Sequence, residues 1–245
     1  MRPEGISSAE IGYGITYPSL KVNLNAYYTL WANKTTNSVS TSTGEPIYSN
    51  VRNVDARHMG VEMSVAQEIS RRLQLNAAIS LGDWRWLGKG LLSQTREDGS
   101  LQNPSVPELP VYLNNVHVGN PAQNRFQLGL RYEPFRGAYI RPSFLLFTKY
   151  YSDFNPELIL DPASSTDSYR LPTSRNFDLH LGYDFKPAFK NRVRFGLKGS
   201  LLNVLNEYYF TEVSNRANSN TSGVEALQAF FNRGRTFTVG LSATL

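Results

Sequence analysis

Apolar and polar residues alternate with a period of two along much of this chain. In GRTFTVGLSATL, Phe237, Val239, Leu241, Ala243 and Leu245 share one face, and Thr236, Thr238, Gly240, Ser242 and Thr244 share the other. NFDLHLGYDF sets Phe177, Leu179, Leu181, Tyr183 and Phe185 against Asp178, His180, Gly182 and Asp184. RFQLGLRY does the same with Phe126, Leu128, Leu130 and Tyr132 against Arg125, Gln127, Gly129 and Arg131. Successive side chains of a strand leave opposite faces, so this pattern predicts strands. Nine segments carry it: about 9–17, 20–33, 53–69, 73–87, 124–133, 138–151, 175–185, 192–205 and 234–245.

The connections alternate as well. Tight links at YPSL (17–20), ISRR (69–72), EPFRG (133–137) and KPAFKN (186–191) are separated by polar stretches of roughly 34–52, 88–123, 152–174 and 206–233, rich in Asn, Ser, Thr, Gly and Pro. Short turns at one end and long loops at the other are the pattern of an outer-membrane barrel, with short periplasmic turns and long extracellular loops. Tilted strands of ~9–11 residues are long enough to cross the hydrocarbon. The predicted fold is therefore all-β: an antiparallel transmembrane β-barrel wall of about nine up-and-down strands.

The cost of burial assigns the faces. A basic residue at mid-depth in lipid costs ~2–4 kcal/mol, so the face carrying Arg194, Lys198, Asp178 and Asp184 must line the lumen and the Phe/Leu/Val face must meet lipid. Tyr28, Trp31, Tyr150, Tyr151, Tyr208 and Tyr209 at one end, and Tyr17, Tyr132 and Tyr183 at the other, are the expected aromatic girdles.

Composition narrows the remaining classes. With 18% charged and 40% hydrophobic residues in 245, the chain is too apolar for disorder, and its apolar runs are far shorter than the ~20 residues of a spanning helix. The start, MRPEGISS, lacks the basic and apolar regions of a signal peptide, so any export signal is expected upstream. No cysteine is present, which excludes disulfide and thiolate chemistry. The net charge of +5 comes from Lys and Arg scattered singly rather than gathered in a patch, which argues against nucleic acid.

Four segments carry a resemblance to the TonB-dependent outer-membrane receptors. RPEGISSAEIGYGITY resembles the family's Lys/Arg-Pro-Glu loop before a Glu-Leu/Ile-Gly strand, at Arg2, Pro3, Glu4, Glu10, Ile11 and Gly12. RHMGVEMSV is similar to its Gly-x-Glu strand at Gly60 and Glu62. LKGSLLNVLNEYYF resembles its penultimate strand, with Asn203, Asn206 and Tyr208. GRTFTVGLSATL resembles its closing strand, at Gly234, Arg235 and Phe237, although Leu245 stands where that family usually ends in an aromatic residue. The resemblance covers essentially the whole chain. It implies a plugged barrel of ~22 strands, of which residues 1–245 are the C-terminal portion, without the plug or the N-terminal strands. Met1 is then expected to be internal to a longer reading frame. The implied activity is active import across the outer membrane of a Gram-negative cell. The implied partners are outer-membrane lipid, the TonB complex through the missing N-terminal regions, the barrel assembly machinery, and a scarce substrate such as a ferric siderophore, a cofactor or an oligosaccharide. A passive porin-like or structural barrel and a soluble β-rich binding module are the alternative readings.

Catalytic chemistry has little to stand on. His58, His117 and His180 are far apart in sequence without paired metal-motif spacing, and no helix follows the Gly12-x-Gly14 pair. No enzyme activity, metal or cofactor is predicted. The candidate ligand contacts are Trp84 and Trp86 of GDWRWLG, which share the lumenal parity beyond the membrane band, and His180, on the lumenal face beside Asp178.

Overall fold

A computed structural model describes residues 3–40, 45–163, 166–185, 193–215 and 223–244. Nine long strands follow one another across a single antiparallel sheet: β1 (Gly5–Thr16), β2 (Leu20–Ser40), β3 (Ile47–Ser70), β4 (Leu73–Leu87), β7 (Asn124–Tyr132), β8 (Ala138–Thr148), β9 (Ser174–Asp184), β10 (Arg194–Leu202) and β13 (Thr236–Thr244). Strand order follows chain order, with β1 and β13 at the two edges. The wall is thus an open up-and-down sheet, as the alternation predicts, and no strand pairing closes it among the described residues.

The long polar stretches are more ordered than their composition implies. Of 34–52, the described residues mostly extend the β2–β3 hairpin, with pairs running on to Ser40↔Ile47. Within 88–123 lie β5 (Lys89–Thr95) and β6 (Leu109–Tyr112), β5 pairing with the outer part of β3. Within 206–233 lie β11 (Phe210–Asn215) and β12 (Leu227–Phe231), a separate hairpin. These loop strands escape a sequence reading because they are only four to seven residues long, too short for a clear alternation; pairing with a neighbouring strand supplies what their local preference lacks. At the opposite end the links are short, and Gly137 (φ 88°) turns the β7–β8 link. The KPAFKN link and Leu245 lie outside the described residues.

Registry turns the alternation into continuous bands. One rung runs Tyr13–Leu24–Met63–Ile79–Phe126–Leu146 across six strands. The next rung on the other face runs Gly12–Asn25–Glu62–Ser80–Arg125–Phe147. The apolar face has no second layer: Leu128, at the centre of the wall, is 47% exposed and Leu181 45%. The buried residues lie elsewhere. Val54, Val111 and Leu113 are fully buried, and with Val51, Leu92, Val116, Trp86, Phe154 and Ile159 they form a core among the outer strand extensions and the 88–123 and 152–174 loops. A second cluster joins Ala122, Tyr150, Leu171 and Val213.

This placement corrects part of the girdle. Tyr150 and Tyr151 are 7% and 6% exposed; they are packing residues of the loop layer, and Trp31 rests against the larger loop core on the lumenal parity. Tyr28, Tyr208, Tyr17 and Tyr132 remain exposed, as girdle residues must.

Two sequence signals acquire physical causes here. Tyr27 lies over Gly60 and Tyr139 over Gly182, so closely that a Cβ on Gly182 would stand 2.2 Å from Tyr139 Cε1. The Asn203–Asn206 pair is a turn device. Both residues hold positive φ, 50° and 54°, which Asn tolerates better than most residues. Asn203 donates from Nδ2 to the Glu207 and Arg233 carbonyls, and Asn206 Oδ1 accepts from the Arg235 N–H.

Two predictions follow from the faces. In the complete protein, Leu128→Arg should destabilise the folded barrel by ~2–4 kcal/mol, while its lumenal neighbour Gln127→Arg leaves most of it folded. Heat-modifiable protein on gels of outer membranes reads the difference, and equal losses would mean that the faces are reversed. Gly182→Val should lower the urea midpoint by the equivalent of ~1–3 kcal/mol, since it displaces Tyr139, whereas Gly240→Ala, with nothing within 4 Å of the new Cβ, should leave it unchanged.

Candidate functional site

The lumenal face and the layer of loops above it contain the polar chemistry. At the outer end of β4 the two tryptophans on the lumenal parity are both engaged. Trp84 Nε1 donates to Tyr27 Oη at 2.9 Å, and its ring stacks on His58 at 5.2 Å; Trp31 approaches the other side of His58 at 6.3 Å. Trp86 is 8% exposed within the loop core, edge-on to Phe154 at 5.6 Å. It also lines a hollow of about 370 Å³ with Phe154, Asp153, Glu157 and Glu212 at the mouth.

His180 is elsewhere. It sits on β9, three strands along the sheet from β4, where its Nδ1 is 2.8 Å from Ser200 Oγ. Asp178, its neighbour on the same face, accepts from the Asn203 N–H at 2.8 Å instead. Arg141, Arg131, Lys198 and Asp184 surround His180 in a lumenal groove, with the Arg131 guanidinium 4.7 Å above the Tyr139 ring. The structure therefore brings Trp84 and Trp86 to the mouth and leaves His180 on the wall.

What holds the mouth together was not singled out from sequence. Asn120 donates from Nδ2 to the Val213 carbonyl at 3.2 Å and accepts on Oδ1 from Tyr150 Oη at 3.0 Å, tying three loops. The Tyr150 hydroxyl also reaches the Thr211 carbonyl at 2.7 Å, and burial raises its pKa. His117 forms a second tie. Its ring stacks on Tyr151 at 3.8 Å, its Nδ1 pairs with Asp167 Oδ2 at 2.6 Å, and Ser168 Oγ donates to its carbonyl at 2.7 Å. Both residues sit in stretches whose composition says only "loop"; no local pattern marks a contact across 50 or more residues. Among the described residues no group of three His, Cys, Asp or Glu side chains could hold a metal ion.

A single-layer wall with a lipid-ready face, a polar lumenal face and a folded layer of outer loops is the wall of an outer-membrane β-barrel. A sequence profile described as TonB dependent receptor-like, beta-barrel, matches residues 1–206, and the chain belongs to that family. Members of it reside in the Gram-negative outer membrane, and so does this wall. No curated protein sequence matches the chain.

Solved structures agree in fold. The ferric-catecholate import receptor Fiu of Escherichia coli K12 is 16% identical with a TM-score of 0.60, covering 99% of this chain and 28% of its own. The siderophore receptor PiuA of Acinetobacter baumannii is 15% identical with a TM-score of 0.62, covering 98% and 28%. The copper transporter OprC is 15% identical with a TM-score of 0.63, covering 98% and 31%. The chain spans less than a third of the length of each.

Burial lowers the His117 pKa from its ordinary 6.5, outweighing the pull of Asp167. A proton then binds more readily once the loops open, so the stability this tie contributes is present above 6.5 and is lost as the pH falls through the lowered value. Protection of the 113–123 and 166–171 amides, taken relative to their intrinsic exchange at each pH, should fall between neutral and mildly acidic pH, and His117→Gln should flatten that dependence. Protection that does not change with pH in the unmodified protein would refute the role of His117.

Proposed function

We propose that residues 1–245 are the C-terminal wall and outer loops of a TonB-dependent active transporter that imports a scarce substrate such as a ferric siderophore, a cofactor or an oligosaccharide. The family membership and the lumenal face support this reading, and the ordered mouth is the single observation that carries it. Ligand binding favours a surface whose loops are already positioned, because less conformational entropy is lost on association, and the two buried loop clusters position this one. In the proposed mechanism the mouth binds the substrate outside the cell. TonB, acting through regions not in this chain, then moves a plug so that the substrate passes along the polar lumenal wall. Lipid holds the apolar face, and the barrel assembly machinery inserts the protein. Trp84, Trp86 and His180 belong to this route as wall and mouth residues, with Trp86 the one beside a hollow.

The complete protein tests this. Uptake of labelled substrate by cells that express it should require both TonB and an energised inner membrane, and an uncoupler should abolish it. In planar bilayers the purified protein should show little conductance, since a plug fills the lumen. Uptake indifferent to the uncoupler, together with a large steady conductance, would establish the passive porin-like alternative instead.

A further inference from the structure

On the lipid-facing parity two strands climb to the outer rim through the same chemistry. β9 runs Leu181, Leu179, Phe177, Arg175, and β13 with the residue just before it runs Leu241, Val239, Phe237, Arg235. Alternate residues of a strand share a face and stand about 6.6 Å apart, so each ladder passes from aliphatic to aromatic to cationic within about 20 Å. Register keeps the two in step, because Leu179 pairs with Leu201 of β10 and Leu201 with Phe237. Toward the opposite end the same faces continue with Tyr183 and Ala243. On β3, Val61 and Met59 lead up to Arg57 in the same order, but there Asp83 takes the guanidinium at 2.9 Å.

The two cationic ends are tied to one turn. Arg235 donates its N–H to Asn206 Oδ1 at 2.9 Å, and the Arg233 carbonyl accepts from Asn203 Nδ2 at 3.2 Å. The same Nδ2 holds the Glu207 carbonyl at 2.9 Å, and the Glu207 carboxylate pairs with Arg175 through Nε. Three guanidiniums therefore share one carboxylate; among the described residues Arg233 and Arg235 have none within ion-pair distance. All three arginines are exposed. Tyr208, 66% exposed, reaches Gly234 between Arg233 and Arg235, and Phe230 and Phe231 of β12 are exposed as well.

Position and chemistry together select an occupant. The wall below the arginines meets hydrocarbon, and aromatic rings mark the interface, so the guanidiniums stand at the depth where headgroups begin. Guanidinium binds phosphate through two parallel N–H donors. An anionic membrane surface favours each basic residue beside it by about fivefold in binding. We propose that Arg175, Arg233 and Arg235, with Tyr208 beside them, form a docking patch for the phosphorylated headgroups of outer-leaflet lipid, the phosphates on the guanidiniums and the acyl chains on Phe177, Phe237 and the aliphatic residues beneath. The outward parity separates this patch from the lumenal route. It depends on the lipid-facing orientation of the wall and is independent of what the barrel transports.

Native mass spectrometry of the complete folded protein in a neutral detergent tests this, with diphosphorylated lipid A as the probe and its dephosphorylated form as the control. The diphosphorylated lipid should bind at least about tenfold more tightly, as expected for two or more guanidiniums at an anionic headgroup. Arg175→Gln combined with Arg235→Gln should erase most of that preference, and lysine at both positions should keep part of it. Arg71→Gln, in the turn at the opposite end of the wall, should leave it unchanged. If the double variant fails to fold, Arg235→Gln alone must lower the preference severalfold. Equal binding of the two lipids would overturn the patch, including the case in which another segment of the complete protein covers the arginines. An undiminished preference in the arginine variants, or an equal loss in Arg71→Gln, would overturn it as well. Inorganic phosphate that displaces the lipid at matching concentration would reveal a bare anion site and also refute lipid docking. Uncoupler-insensitive uptake with the lipid preference intact refutes the transporter and leaves the patch standing.

Discussion

Everything in this molecule follows from an apolar face that the protein itself never covers. The wall is one sheet thick, and the rung from Tyr13 to Leu146 spans six strands with no layer packed against it. In water such a face would drive aggregation, because it is far larger than the apolar patches monomers ordinarily expose. In lipid it costs nothing to leave open, but the backbone must then satisfy its own hydrogen bonds. Antiparallel pairing along nine strands does this everywhere except at β1 and β13, whose outer edges need further strands.

Because lipid replaces a core within the wall, the core moves outward. The fully buried Val54, Val111 and Leu113 belong to the outer strand extensions and the loops over them, where water is the solvent and apolar burial is favourable. The hydrogen bonds there obey the same logic. Asn120 serves both the main chain of Val213 and the Tyr150 hydroxyl, polar groups that would otherwise be costly to bury. The hollow beside Trp86 is shaped by the loops that these ties hold.

The two faces are also fitted to one another. Tyr27 over Gly60 and Tyr139 over Gly182 lay large lumenal rings flat on the sheet. The Arg131 guanidinium then stacks on Tyr139 and keeps the lumenal surface polar. Such glycines serve spacing rather than backbone freedom, which explains why they recur inside strands where glycine is otherwise unfavourable.

By itself the sequence determined the strands of the wall, their order, and which face meets lipid, because a period of two and the cost of burying Arg194 or Asp178 are local facts that need no partner. The family resemblance also marked Asn203 and Asn206, but their turn and their bonds to Arg233 and Arg235 came from the structure. Only the tertiary structure decided that Tyr150 and Tyr151 pack loops instead of meeting headgroups, that Trp84 is held by Tyr27 and His58, and that His180 stands apart from both tryptophans. Those contacts join residues tens of positions apart, and their partners are set by how polar loops fold over the end of the sheet, where no periodic signal survives because each residue answers to a different neighbour.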